Sequence, residues 1–258
     1  MSTGHETANA ATLGLSRTAE SLGLPAGIRA CLFDLDGVLT QTAQLHAAAW
    51  KETFDSFLHD RSVRIREPFV PFDSGLDYER YVDGRARHDG VREFLAARGI
   101  EVNAATVNEV AERKNERVLE LIRRRGLKPY EGSVRYVRAV QNAGLRRAVV
   151  SASANCGAAL KAAGLTDLFE VRIDAARATE EHLLGKPAPD TFLAAARALD
   201  VEPGEAAVFE DALAGVAAGH AGRFGFVVGV DRTGHGDALR RAGADVVVSD
   251  LAKLLERR

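Results

Sequence analysis

Ile28-Arg29-Ala30-Cys31-Leu32-Phe33-Asp34-Leu35-Asp36-Gly37-Val38-Leu39 is an apolar run that ends in two carboxylates separated by one leucine. Such a run reads as a buried strand over residues 28–34 that opens into a polar site. Alternate side chains on a strand share a face, so Asp34 and Asp36 point together unless the turn parts them. Gly37 supplies the backbone freedom for a sharp exit. Neighbouring carboxylates are costly unless a metal, a proton or a cation accompanies them. A simple Asp-x-Asp-Gly turn has the same sequence, so the rest of the chain must decide.

From Tyr130 onward, short β-rich runs alternate with helical stretches. The runs are Arg147–Val150, Phe169–Ile173, Ala206–Phe209, Phe224–Val228 and Asp245–Val248. Helical periodicity lies between them at Ser133–Asn142, Asp190–Leu199 and Leu213–His220. Near-continuous apolar strands alternating with helices predict a parallel sheet covered on both faces. Between Thr42 and Arg125 there is little strand character, and Leu45–Leu58 and Ala104–Arg125 have helical spacing. Arg123-Arg124-Arg125 before Gly126 fits a solvated helix end that favours cations. The expected architecture is α/β: a doubly wound parallel-sheet core over 28–41 and 126–258, with an α-helical domain inserted over 42–125. Residues 1–27 are expected to be a poorly ordered N-terminal extension, with at most a short helix before Pro25.

Composition narrows the class of function. The 258 residues are 46% hydrophobic and 27% charged, an ordinary globular balance, and the formal charge of −2 carries no nucleic-acid footprint. Cys31 and Cys156 form neither a disulfide framework nor a zinc spacing, and Cys31 reads as a buried small hydrophobe. No apolar stretch approaches a membrane span, and the first residues lack the basic start and apolar core of a secretory signal. A cytoplasmic monomer acting on a small molecule is expected.

Open parallel sheets bind ligands beyond the carboxyl ends of their strands. The first strand delivers Asp34 and Asp36 there, and the run ending at Val150 delivers Ser151-Ala152-Ser153-Ala154-Asn155. The run ending at Phe209 delivers Glu210-Asp211, while Gly185-Lys186-Pro187 brings a lysine to the same edge. Taken singly, these are a helix cap and an exposed loop lysine. Together they suit a hard cation on oxygen ligands, Mg²⁺ in preference, held by Asp34, Glu210 and Asp211 with a backbone carbonyl. A carboxylate beside the metal can attack phosphorus, and Asp36 can serve as general acid and base. Ser151 with backbone N–H groups, and Lys186, would hold the phosphoryl oxygens.

In that order, Phe33-Asp34-Leu35-Asp36-Gly37, Ser151, Lys186 and Glu210-Asp211 resemble the motifs of the haloacid dehalogenase (HAD) superfamily. Within it the chain most resembles the β-phosphoglucomutase-like family, over roughly residues 28–255. The cues are Gly37-Val38-Leu39-Thr40, Thr42, His46, Trp50-Lys51, Arg113-Lys114-Asn115, Ser151-Ala152-Ser153 and Gly185-Lys186-Pro187-Ala188-Pro189-Asp190. The resemblance implies a HAD-like Rossmannoid core with a helical cap domain. It further implies that Asp34 is the nucleophile, Asp36 the acid/base, and Mg²⁺ is held by Asp34, the Asp36 carbonyl, Glu210 and Asp211. Thr42 and His46 would sit at the hinge, with Trp50 near the substrate. Arg87, in the segment Arg85–Asp89, matches the loop arginine that grips the non-transferring phosphate. Lys114 and Asn115 would face the sugar, and Ser153 and Asn155 would support the distal phosphate.

Two positions depart from the pattern. Gln41 stands where an aspartate is usual, and Ala154 where a lysine is expected. The implied activity is conversion of β-glucose 1-phosphate to glucose 6-phosphate through a glucose 1,6-bisphosphate. The rivals are a phosphatase acting on a small sugar phosphate and a non-catalytic phosphate-sensing protein. A dehalogenase fits less well, because its chemistry has no use for Asp36.

Overall fold

The structure, a computed structural model, describes residues 19–256. Its strands are β1 (Ala30–Phe33), β2 (Arg146–Val150), β3 (Val171–Ile173), β4 (Ala206–Glu210), β5 (Phe226–Val230) and β6 (Val246–Val248). Its α-helices are α1 (Ala43–Ile65), α2 (Arg87–Ala97), α3 (Ala104–Arg125), α4 (Glu131–Asn142), α5 (Cys156–Ala162), α6 (Ala175–Glu180), α7 (Asp190–Ala198), α8 (Leu213–Ala221) and α9 (Gly236–Ala242). The strands form one sheet in the order β3-β2-β1-β4-β5-β6, with every neighbouring pair parallel. This is the expected doubly wound α/β fold. No described helix is long and apolar enough to cross a membrane.

Alternation along the strands builds two cores. Cys31 and Phe33 of β1, with Phe209 of β4, face Tyr136 and Val140 of α4 and Leu160 of α5. Ala30 and Leu32, with Val208, face Phe192 of α7, Val216 of α8 and Leu239 of α9. Phe33 and Phe209 stack at 4.4 Å between ring centroids, and Tyr136 meets Phe33 edge-on at 6.3 Å. Cys31 is fully buried, and burial pushes its thiol up, consistent with a packing role. The chain leaves β1 for β2 and β3 on one side, then crosses to β4 on the other. The resulting switch point lies between β1 and β4, where Asp34 N–H donates to the Phe209 carbonyl at 2.9 Å.

Helices α1 to α3 lie between β1 and β2 and bury a core of their own. Trp50, Phe54, Phe72 and Phe94 form its aromatic centre, joined by Val91, Leu95 and Val107. On α1 the buried positions Leu45, Ala49, Trp50, Thr53, Phe54 and Leu58 recur at three- and four-residue spacing, one face of a helix. The Asn103 side chain caps the start of α3 by accepting from Thr106 N–H, and three arginines before Gly126 close its end. A π-helical turn, Tyr78–Val82, precedes α2.

Two connectors join these helices to the sheet, and they run side by side. Gln41 N–H donates to the Lys128 carbonyl at 2.8 Å, and Tyr130 N–H donates to the Leu39 carbonyl at 2.9 Å. The Gln41 side-chain amide adds a bond to the Pro129 carbonyl at 3.2 Å.

Three expectations change. Of the expected N-terminal extension, residues 1–18 lie outside the described residues. Residues 19–27 are no loose tail: Ala19, Leu22 and Leu24 are buried against α4, and Tyr136 Oη donates to the Leu22 carbonyl at 3.0 Å. The first, third and fifth strands each start two residues later than their apolar runs, at Ala30, Val171 and Phe226. Gly225 is spent on a close approach, since a Cβ there would stand 2.1 Å from the Gly204 carbonyl oxygen. Arg87 is the first residue of α2, not part of a loop.

Candidate active site

Asp34 follows β1, Glu210 ends β4, and Asp211 comes next. Among the described residues these three form the carboxylate group that could hold a metal ion, each offering an oxygen within 4.8 Å of the others. Two glycines make the approach possible. A Cβ on Gly37, whose φ is +90°, would stand 1.7 Å from Asp211 Oδ2, and one on Gly215 would stand 1.9 Å from the Glu210 carboxyl. The carboxyl groups therefore fill space that any side chain would occupy.

Lys186 is the counter-charge. Its Nζ lies 2.6 Å from Asp34 Oδ1 and 2.5 Å from Glu210 Oε1, donates to the Val150 carbonyl at 3.1 Å, and sits 5.0 Å from the centre of the Phe192 ring. Burial works against its ammonium, but Asp34 and Glu210 outweigh burial and hold it charged. Two carboxylates contact this one ammonium, and Asp211 completes the acidic cluster beside them. Burial first, and then repulsion between carboxylates, push Asp34 and Asp211 well above the usual range, with Lys186 partly relieving Asp34. A hard divalent cation would remove that repulsion, and an all-oxygen donor set suits it.

Asp36 contributes no carboxylate to this group. Its Oδ1 accepts a short hydrogen bond from Thr42 Oγ1 and lies 3.4 Å from His46 Nε2. Thr40 Oγ1, anchored on the Leu35 carbonyl at 3.0 Å, stands 2.8 Å from Thr42 Oγ1 and fixes it. His46 Nδ1 is 3.1 Å from Lys114 Nζ, which in turn lies 4.9 Å above Trp50. Burial and the Lys114 charge lower His46 to about 4, against the opposing pull of Asp36. Burial also brings Lys114 down to about 8, opposed by Asp36 and aided by Arg87.

Asp34, Asp36, His46, Trp50, Arg87, Lys114, Asn115, Ser153 and Asn155 line one cleft between the sheet edge and the inserted helices. Asn155 Nδ2 donates to Asn115 Oδ1 at 2.8 Å, bridging the two sides. Ser151 and Lys186 instead line an adjoining cavity, which shares Ala152, Ala154 and Arg87 with the cleft. Thr42 lies behind Asp36 and lines neither. Ser151 Oγ accepts from Ser153 N–H at 3.1 Å, which shapes the loop after β2.

Other residues, marked by no sequence motif, join the site. Tyr78, Asp83 and Arg85 also line the cleft, brought there by the π-helical turn and the loop after it. The approach is close, since a Cβ on Gly84 would stand 2.7 Å from the Ala212 Cβ. Burial raises Asp83 to about 6, opposed by its bond to Tyr78. Arg232, two residues beyond β5, donates to the Gly37 carbonyl at 3.3 Å, to Ser133 Oγ at 3.2 Å, and to the Ser249 carbonyl and Asp250 at 2.8 Å each. Its guanidinium lies 3.8 Å over the Tyr130 ring. No local sequence pattern marks these residues, although an acidic residue before a glycine in a polar stretch could have drawn attention to Asp83.

A parallel sheet whose switch point carries three clustered carboxylates and a buried lysine defines an α/β enzyme of the HAD type. The profile of the haloacid dehalogenase-like hydrolases matches residues 28–223, and the chain belongs to that family of phosphotransferases and phosphatases. It is 54% identical to a β-phosphoglucomutase of Mycobacterium tuberculosis over 91% of this chain and 94% of that one. It is also 37% identical to a trehalose-phosphate phosphatase of Mycobacterium leprae, over 50% of this chain and 29% of the relative. Among solved structures, a β-phosphoglucomutase of Clostridium difficile superposes with a TM-score of 0.72 at 27% identity, covering 88% of this chain and 93% of the other.

Proposed function

We propose that this enzyme is a Mg²⁺-dependent β-phosphoglucomutase. The observation that carries the reading is the separation of two carboxylates only two residues apart. Asp34 sits with Glu210, Asp211 and Lys186, whereas Asp36 is turned to Thr42 and His46. One is placed to attack phosphorus and the other to move a proton. The 54% identity to a mutase over nearly the whole chain supports the same choice.

Asp34, Glu210, Asp211 and the Asp36 carbonyl would hold Mg²⁺, which would screen the negative charge that gathers on the transferring group. The cycle starts with Asp34 phosphorylated. The C6 hydroxyl of β-glucose 1-phosphate attacks the phosphorus and passes its proton to Asp36 as the bond to Asp34 breaks. The bisphosphate turns over in the site. Asp34 then attacks the C1 phosphate, Asp36 returns its proton to the departing C1 oxygen, and glucose 6-phosphate leaves. Lys186 holds Asp34 in line and, with Ser151, offers donors to the phosphoryl oxygens. Arg87, Ser153 and Asn155 take the phosphate that is not being transferred. His46, Lys114, Trp50 and Asn115 face the sugar, and the Asn115–Asn155 bond fastens the inserted helices, acting as a cap, over the site. A closed cap keeps water from the aspartyl phosphate.

A phosphatase is the second reading, favoured by Ala154, which leaves no cation after Ser153, and by the adjoining cavity beside Ser151 and Lys186. One assay separates the two. Enzyme with Mg²⁺, β-glucose 1-phosphate and a trace of glucose 1,6-bisphosphate is expected to form glucose 6-phosphate with little free phosphate. Phosphate release without isomerisation would overturn the mutase assignment.

A further inference from the structure

Three cations line the cleft, Arg85, Arg87 and Lys114. Among the described residues, only Arg87 has a carboxylate in close contact. Its Nη2 lies 2.5 Å from Glu112 Oε1, whereas Arg85 is 4.0 Å from Glu93 and Lys114 pairs with His46. The Arg87 Nε is buried and has no hydrogen-bond partner. Arg87 also opens α2, whose N-cap, Ala86, has no side chain able to bond the first-turn N–H groups. The start of α2 thus offers unfilled donors, with a carboxylate standing on the same guanidinium that would receive an anion.

We propose that Glu112 is a specificity-determining residue: its carboxylate competes with the second phosphate of the substrate for Arg87 and so sets the preference for bisphosphate over monophosphate. The proposal rests on the reading of Arg87 as the distal-phosphate ligand. A guanidinium–carboxylate pair is neutral, so an arriving phosphate must displace Glu112 or accept a weaker field. Glu112 comes from α3, two residues before Lys114. The Glu112 side chain is 54% exposed and that of Arg87 22%, so water can take up the released carboxylate and the competition is graded. Ala154 puts no cation beside Ser153 to share the load, which gives this pair added weight.

The test measures KM for glucose 1,6-bisphosphate, which carries a second phosphate, and for acetyl phosphate, which does not. Glu112→Gln should lower KM for the bisphosphate roughly two- to five-fold at low ionic strength, raise the selectivity over acetyl phosphate accordingly, and lose the gain as salt is added. In an Arg87→Ala background the same substitution should leave that selectivity ratio where it was. Arg87→Ala alone should raise the bisphosphate KM roughly tenfold or more. If it does, and Glu112→Gln leaves that KM unchanged or raises it, Glu112 does not compete and the inference fails alone. If Arg87→Ala leaves the bisphosphate KM unaltered, the distal-phosphate reading fails and the inference falls with it.

Discussion

Lys114 carries its charge in a place that opposes it, and the consequence is measurable. Its folded value of about 8 lies below the ordinary 10.5 because burial disfavours the ammonium. Below pH 8 both folded and unfolded chains hold the proton, and the whole penalty is present. As the pH rises from about 8 to 10.5 the folded state releases it first, so the unfolded state binds more protons and stability climbs. Lys114→Met should therefore unfold at higher urea than the parent at pH 7, with the gap closing toward pH 10.5. A gap that stays constant with pH would remove burial as the cause. At this scale, the juxtaposition of Asp34, Glu210 and Asp211 was legible because each follows or ends an apolar strand run at one sheet edge, and Lys186 because its Gly-Lys-Pro loop precedes a helix that starts from that edge. Glu112 was not: its meeting with Arg87 depends on how α3 packs beside α2, and a charged helix face looks the same whether or not it meets a partner.

Among the elements, the turn after β1 is held by two side chains, one of them anchored in turn beyond β6. Arg232 grips the Gly37 carbonyl, Ser133 of α4 donates to the Val38 carbonyl at 2.6 Å, and the same guanidinium reaches Ser249 and Asp250 beyond β6. Gly37 must keep its place for Asp211 to approach. Arg232→Ala should lower kcat roughly tenfold or more while moving KM little, since the groups displaced face the reacting atoms rather than the distal phosphate. Free guanidinium in the assay should recover part of the loss. A change confined to KM would point elsewhere. Strand and helix alternation was legible from periodicity, down to the ends of α3. The start of β5 was not, because Gly225 yields to the backbone at Gly204, a contact between segments that local hydropathy does not register. The burial of Leu22 was hidden for the same reason, since Tyr136, which bonds its carbonyl, lies more than a hundred residues away on α4.

For the whole molecule, a cation bound by the Asp34–Glu210–Asp211 cluster would be linked to folding. Burial and mutual repulsion raise Asp34 and Asp211, so the metal-free protein gives up stability to keep these acids together as the pH rises above their unfolded values. Asp211→Asn should raise the Tm of the chelator-treated protein. Millimolar Mg²⁺ should raise the Tm of the parent and leave that of the variant nearly unmoved. Equal Mg²⁺ responses in the two proteins would take Asp211 out of the metal site.

The paired connectors carry a different consequence. Gln41 and Lys128 are hydrogen-bonded neighbours, so the chain leaves the sheet and comes back to it at almost the same point. Everything between them forms one insert that enters and leaves through a single pair of connectors. Another helical insert can be spliced in at that seam without rerouting β1 or β2, and with it would travel Arg87, Glu112, Lys114 and Asn115, together with Thr42 and His46, which hold Asp36. Asp34, Glu210, Asp211 and Lys186 would stay behind, so recombination at one seam would change the acceptor side and the surroundings of Asp36 while the buried carboxylate–lysine cluster is inherited intact.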